Sequence, residues 1–228
     1  MNRRDLILGS AATLAVFPAV SSAASLPRRK RIRVAFLLGE NANVIDTAGP
    51  WEVFQDTMLD GLITDSHPFE LYTVAPEKAV LTMTGGLRVE PHYSIAEAPA
   101  PNVIVVPAHR STAASRDWLR RASADTDVTM SVCTGAFQLA RVGLLDGLAA
   151  TTHHEFWDEF AREFPAIELK RGLRFVDSGR IATAGGLTSG IDMALHIVGR
   201  YFGAAAAART ARYMEHGSDA WREGLVAI

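Results

Sequence analysis

The sequence predicts an α/β sandwich built on a mostly parallel sheet, and three observations carry that reading. Short apolar, β-branched runs at residues 31–38, 103–106 and 128–132 have the character of strands covered on both faces. Segments with helical spacing of apolar residues alternate with them, as connections between parallel strands require. The third observation is local. Residues 128–140 (VTMSVCTGAFQLA) read as a buried strand that enters a tight turn and runs straight into a helix, with the only cysteine, Cys133, at the turn.

Along the chain, residues 1–24 read as a targeting segment. Arg3-Arg4 precede an apolar run from Leu6 to Val20 and small residues at Ser21-Ser22-Ala23-Ala24. The run is ~15 residues, too short to span a bilayer as a helix. The pattern resembles a twin-arginine export signal, which places the mature chain in a bacterial periplasm. Residues 25–30 form a polar, basic linker, and residues 31–228 a single domain.

Residues 31–38 give the first strand, and a helix opening around Asp46 continues to about Leu59, with Val53, Phe54 and Met58 on one face and Pro50 in its first turn. Residues 69–75 give a second strand. Residues 80–89, split by Gly85-Gly86, form a hairpin. Residues 103–106 give a third strand, and Trp118 and Leu119 mark a short helix before the cysteine strand. Residues 147–152 read as a short strand, and Phe156, Phe160 and Phe164 mark a helix. Two short strands around 174–176 and 180–183 follow, broken by Gly185-Gly186 from a long helix over 188–202 and a last helix over 204–216.

With 48% apolar and 21% charged residues in 228, the chain is globular and long enough to bury a full core. A formal charge of -2 and the lack of a basic stripe argue against a nucleic-acid partner. One cysteine excludes an internal disulfide.

Chemistry is expected where loops meet at the carboxyl ends of the strands. Four stretches end there: 39–46, 107–110, Cys133-Thr134 and 151–154. Cys133, at a strained strand-to-helix corner, has the setting of a nucleophile, and a helix N-terminus beside the sulfur would lower its pKa. A small core hydrophobe is the other reading. Asp46 is either an N-cap or a proton carrier for the thiol. Thr134 offers a hydroxyl and a backbone N–H to developing negative charge. His153 is a pocket group or a packed side chain. His153 and His154, as neighbours on a strand, would face opposite ways and not share a metal. His109 beside Arg110 is an anion contact or a solvated turn. Asp192 and His196, one helical turn apart, would pair. Gly185-Gly186 is a simple turn or a place where a substrate nears the backbone.

Asp46-Thr-Ala-Gly-Pro-Trp-Glu-Val-Phe, Ser131-Val-Cys-Thr-Gly-Ala, Ala150-Thr-Thr-His153 and Thr183-Ala-Gly-Gly-Leu-Thr-Ser-Gly-Ile-Asp192 together resemble the ThiJ/PfpI superfamily, the class I glutamine amidotransferase-like group, from about Arg31 to Tyr213. The resemblance implies a three-layer, flavodoxin-like sandwich with a nucleophile elbow, a homodimer, a small-molecule substrate, no metal and no organic cofactor. Asp-x-x-Gly-Pro with Cys-Thr-Gly is similar to the branch holding isocyanide hydratases and the amidase-like domains of AraC-type regulators. Since the sequence ends at Ile228, the regulators' helix-turn-helix units are not expected. By resemblance Cys133 is the nucleophile, Asp46 its acid, and Thr134 stands where the protease-like branch has histidine. His153 matches a pocket histidine. Where the superfamily commonly has Gly-Gly to shape an oxyanion hole, this chain has Pro107-Ala108-His109. The implied activity is hydration or hydrolysis of a small electrophile, an isocyanide before others. A non-catalytic periplasmic ligand-binding or redox-sensing protein is the rival, and removal of reactive carbonyls, leaning on His153, a third.

Overall fold

The computed structural model describes residues 25–57, 59, 67–222 and 225–227. The targeting segment and Met58 lie outside the described residues.

In chain order the elements are β1 (Ile32–Leu37), α1 (Val44–Gln55), β2 (Phe69–Ala75), β3 (Leu81–Thr82), β4 (Arg88–Val89), β5 (Tyr93–Ser94), β6 (Val103–Val106), α2 (Ala113–Ala122), β7 (Val128–Ser131), α3 (Gly135–Arg141), β8 (Ala149–Ala150), α4 (Trp157–Glu163), β9 (Glu168–Leu169), β10 (Leu173–Asp177), β11 (Ile181–Ala184), α5 (Ser189–Phe202), α6 (Ala204–Tyr213) and β12 (Leu225–Ala227). Among the described residues eight strands form the central sheet in the order β12-β10-β11-β7-β6-β1-β2-β5, and of these only β10 runs against the rest, pairing antiparallel with β11 and β12.

The apolar, β-branched strands bury both faces, which produces two cores and three layers. On one face Val34, Phe36, Val105 and Met130 pack with Val53 and Phe54 of α1, Met193 and Ile197 of α5 and Ala207 of α6. On the other, Ala35, Ile104 and Val106 pack with Leu119 of α2, Phe137 and Leu139 of α3 and Phe160 of α4. The hairpin expected over 80–89 is the β3–β4 pair, turned through Gly85 and Gly86 at φ 71° and 84°.

Several expectations are corrected. α1 starts earlier than the sequence indicated, because Asn43 is its N-cap and takes the Ile45 N–H at 3.2 Å. Asp46 is therefore the third residue inside the helix. Pro50 lies in the helix interior and leaves the Asp46 carbonyl without the usual i+4 donor. The strand expected over 147–152 is the two-residue β8, which joins β9 in a separate small sheet; β5, β9 and the edge strand β12 are too short or too marginal to show a period of two. Asp192 and His196 do not pair: His196 Nε2 meets Asp177 Oδ2 at 2.8 Å, and His216 Nε2 meets Asp192 Oδ1 at 2.9 Å. Partners from β10 and the C-terminal segment outcompete the same-helix pair. The 25–30 segment is strapped to the body, with Leu26 N–H on the Arg200 carbonyl at 3.1 Å and Arg29 bidentate on Asp127.

Candidate functional site

The carboxyl ends of four adjacent strands, β1, β6, β7 and β11, converge on Cys133. Cys133 follows β7 with φ 59°, the left-handed region that ordinary side chains avoid. Three contacts hold it there. Its N–H donates to the Gly185 carbonyl at 2.8 Å, its carbonyl accepts the Thr152 hydroxyl at 2.9 Å, and Gly135 lets α3 begin directly against the β6 backbone. The residue is 7% exposed.

Asp46 arrives from the first turn of α1. The Val44 and Ile45 N–H groups are taken by Thr84 Oγ1 and Asn43 Oδ1, so the carboxyl need not cap its own helix. Oδ2 accepts the Ala108 N–H at 3.2 Å. The Leu187 N–H and the Cys133 thiol also favour its ionised form, yet neither meets Oδ1 in full hydrogen-bond geometry. Burial nonetheless dominates and pushes the Asp46 carboxyl up to about 6.

The thiol moves the same way, reversing the expectation that the helix N-terminus would lower it. Burial first, and the Asp46 charge second, push the Cys133 thiol up to about 12, although the Thr134 N–H and hydroxyl and the Leu187 N–H favour the thiolate. Desolvation of a sulfur beside a carboxylate outweighs the donors at Thr134 and Leu187. Burial thus favours the neutral thiol, and the sulfur and the Asp46 carboxyl titrate as one coupled pair.

The structure brings Cys133, Asp46, Thr134 and the Ala108 N–H together. The Ala108 N–H is committed to Asp46 rather than free for substrate. His153 stands at the rim: its ring lies so close to Gly186 that a Cβ there would be 2.2 Å from Cδ2. Burial lowers its pKa, and its Nδ1 accepts the Glu155 N–H at 3.3 Å, so a neutral ring carries its proton on Nε2. His153 and His154 do not face opposite ways. They sit where a 3₁₀ turn begins, and their rings stack at 4.5 Å. Among the described residues no group of three or more His, Cys, Asp or Glu side chains could hold a metal.

His109 is neither a solvated turn nor an anion site. Nδ1 donates to the Pro107 carbonyl at 2.8 Å, Nε2 is buried without a partner among the described residues, and burial lowers its pKa, which favours the neutral ring. Gly185 uses its carbonyl to hold Cys133, and Gly186 makes room for His153.

Two contributors escaped the sequence reading. Leu187, at φ 54°, turns its N–H towards both the sulfur and the carboxyl. Its place directly after Gly185-Gly186 and before a helix was the available signal. Thr152, inside Ala-Thr-Thr-His, braces the elbow through its hydroxyl.

A family model described as DJ-1/PfpI family matches residues 32–200. The chain belongs to the DJ-1/PfpI family. Among curated relatives of this DJ-1/PfpI chain, an isonitrile hydratase from Pseudomonas putida is 29% identical over 170 residues, covering 72% of this chain and 69% of that protein. The HTH-type transcriptional regulator GbdR from Pseudomonas aeruginosa is 27% identical over 175 residues, covering 75% of this chain. The chain spans 47% of that regulator's length. A ThiJ/PfpI family protein from Pseudomonas syringae superposes with a TM-score of 0.72 at 23% identity, covering 91% of this chain and 83% of that one. Drosophila melanogaster DJ-1beta superposes with a TM-score of 0.70 at 14% identity, covering 82% and 100%. At these identities the structural likeness establishes the fold.

Proposed function

We propose that this DJ-1/PfpI protein is a cysteine-dependent hydratase that converts an isocyanide to an N-substituted formamide. The observation that carries the proposal is the Cys133 sulfur at the elbow with the Asp46 carboxyl beside it, and with Thr134 and the Leu187 N–H rather than a histidine as its other polar neighbours. A peptidase-like thiol needs a base that makes thiolate before substrate arrives. This pair suits a substrate that needs a nucleophile and a proton at one atom.

The terminal carbon of an isocyanide is such an atom. Cys133 forms the S–C bond, and its proton passes through Asp46 to the same carbon, giving a thioimidate, R–N=CH–S–Cys133. Water then bonds to that carbon and the C–S bond breaks. One water proton returns through Asp46 to sulfur and the other reaches nitrogen, releasing R–NH–CHO. Thr134 and the Leu187 N–H stabilise negative charge on the departing sulfur. Asp46 is base in the first half and acid when its proton is handed on.

The likeness to the isonitrile hydratase supports the reading. The likeness to a regulator supports a second, in which the pocket binds a ligand without turnover. A turnover screen of isocyanides, glyoxals and amides, run on the parent and Cys133→Ala proteins, separates the two readings. Hydration of an isocyanide, lost in Cys133→Ala, is the expected result. Hydration at the parent rate without the sulfur overturns the mechanism, and tight binding without turnover favours the regulator-like reading. Export through the Arg3-Arg4 segment and assembly as a homodimer belong to the proposal, to be checked by cell fractionation and by light scattering.

A further inference from the structure

The turn from Gly185 to Thr188 decides where the Leu187 N–H points, and one residue brackets it, with its backbone at one end and its side chain at the other. The Arg174 carbonyl accepts the Gly185 N–H at 2.8 Å at the start of the turn. At its other end the Arg174 guanidinium reaches Thr188 Oγ1 at 3.4 Å and bonds the Asp192 carboxylate. Between these two points lies Leu187, in left-handed backbone that persists only when its surroundings enforce it.

The bracket is itself fixed. Asp192 is fully buried. Its Oδ2 receives Arg174 Nε at 2.7 Å and also Nη2, and its Oδ1 receives His216 Nε2 at 2.9 Å. Burial alone pushes this carboxyl up, but the bonds from His216 and Ser218 and the Arg174 charge hold it below the ordinary carboxylate range. Anchoring the C-terminal segment on α5 does not need this group. Further along the helix His196 and Arg200 already meet Asp177, and His196 Nδ1 meets the Trp221 carbonyl at 3.2 Å. The two clusters differ in place: Asp192 lies in the first turn of α5, directly after the strained turn, and the Asp177 cluster does not touch it.

We propose that Arg174, held by Asp192 and His216, is a positioning residue that keeps the Gly185–Thr188 turn pitched so that the Leu187 N–H faces the Cys133 sulfur. The inference rests on Cys133 being the reactive group, and its test reads the sulfur directly, without substrate.

Cys133 is the only cysteine in the chain, so alkylation by iodoacetamide reports it alone. Turning the Leu187 N–H away from the sulfur should slow alkylation at pH about 8 by about five-fold in Arg174→Met and shift the whole rate–pH curve to higher pH. Arg174→Lys, which keeps the charge but cannot bridge Thr188 and Asp192 together, should fall between that variant and the parent. His196→Gln, which breaks the other cluster, should melt earlier and keep the parent curve. A folded Arg174→Met with the parent curve overturns the proposal, as does His196→Gln slowing alkylation equally. If Arg174→Met does not fold, parent-like curves in both Arg174→Lys and His216→Gln overturn it. A parent protein that shows this alkylation pattern but hydrates no isocyanide overturns the proposed function and leaves the positioning role standing.

Discussion

A Cβ built on Gly135 would lie 2.1 Å from the Val106 carbonyl oxygen. The contact is backbone on both sides, so nothing flexible can yield. Gly135→Ala must push α3 away from β6 or unwind its first turn, and Cys133 sits immediately before that turn. The expected cost is about 3 kcal/mol. Calorimetry should show melting lowered by roughly 6 to 12 °C, and an unchanged melting point would mean that the elbow is not packed as described.

Asp46→Asn should abolish hydration and stabilise the protein. The carboxyl rises from 3.8 in the unfolded chain to about 6 in the fold. Below the lower value both states are protonated and there is no penalty. As pH climbs between the two values the unfolded chain ionises first, so the fold loses relative stability, and above the upper value the loss is constant. Replacing the carboxyl should then gain about 1–2 kcal/mol at neutral pH, less than the full shift implies because hydrogen bonds to the anion are also lost. Melting curves of parent and variant should diverge from acid to neutral pH. Equal melting throughout would mean that the carboxyl is not strained by burial.

Parent turnover should fall on the acid side with a midpoint near 6, because a protonated Asp46 cannot take the thiol proton. A profile that stays flat well below that value would remove Asp46 from the first step.

Thr152→Val keeps the shape of the side chain but leaves the Cys133 carbonyl without the hydroxyl that now meets it at 2.9 Å. Stability should drop by about 1–3 kcal/mol, and hydration should weaken with it, since the sulfur's backbone is less firmly held. Denaturant unfolding gives the first quantity and steady-state kinetics the second.

Gly186→Ala meets the His153 ring rather than backbone. The ring can swing aside, so the stability cost should stay below about 1.5 kcal/mol. If His153 lines the entry to the site, Gly186→Ala and His153→Ala should shift KM for an isocyanide in the same direction while kcat survives. A collapse of kcat in His153→Ala matching that of Cys133→Ala would instead place the chemistry on the histidine.

Much of this architecture was legible in the chain. β6 is apolar throughout and β1 is apolar after Arg33 because both faces are covered, and that lack of alternation is itself a signal. The elbow was legible because a strand, a cysteine, a glycine and a helix follow one another without a loop. Strand β12 and the two-residue strands β5 and β9 were not, since pairing partners rather than local pattern create them. Asp46 showed the same limit. An aspartate near a helix start reads as a cap until Asn43 and Thr84 are seen to fill that role.

The amino-acid order by itself determined the α/β class, the central strands β1, β2, β6 and β7 and which sulfur stands at the end of β7, because periodicity and turn chemistry are properties of neighbours along the chain. The tertiary structure alone decided the state of that sulfur. Burial and the approach of Asp46 from another strand's end outweigh the donors at Thr134 and Leu187, and the Leu187 N–H arrives from a fourth strand. Desolvation depends on everything packed around a group, so no short stretch of sequence carries its sign.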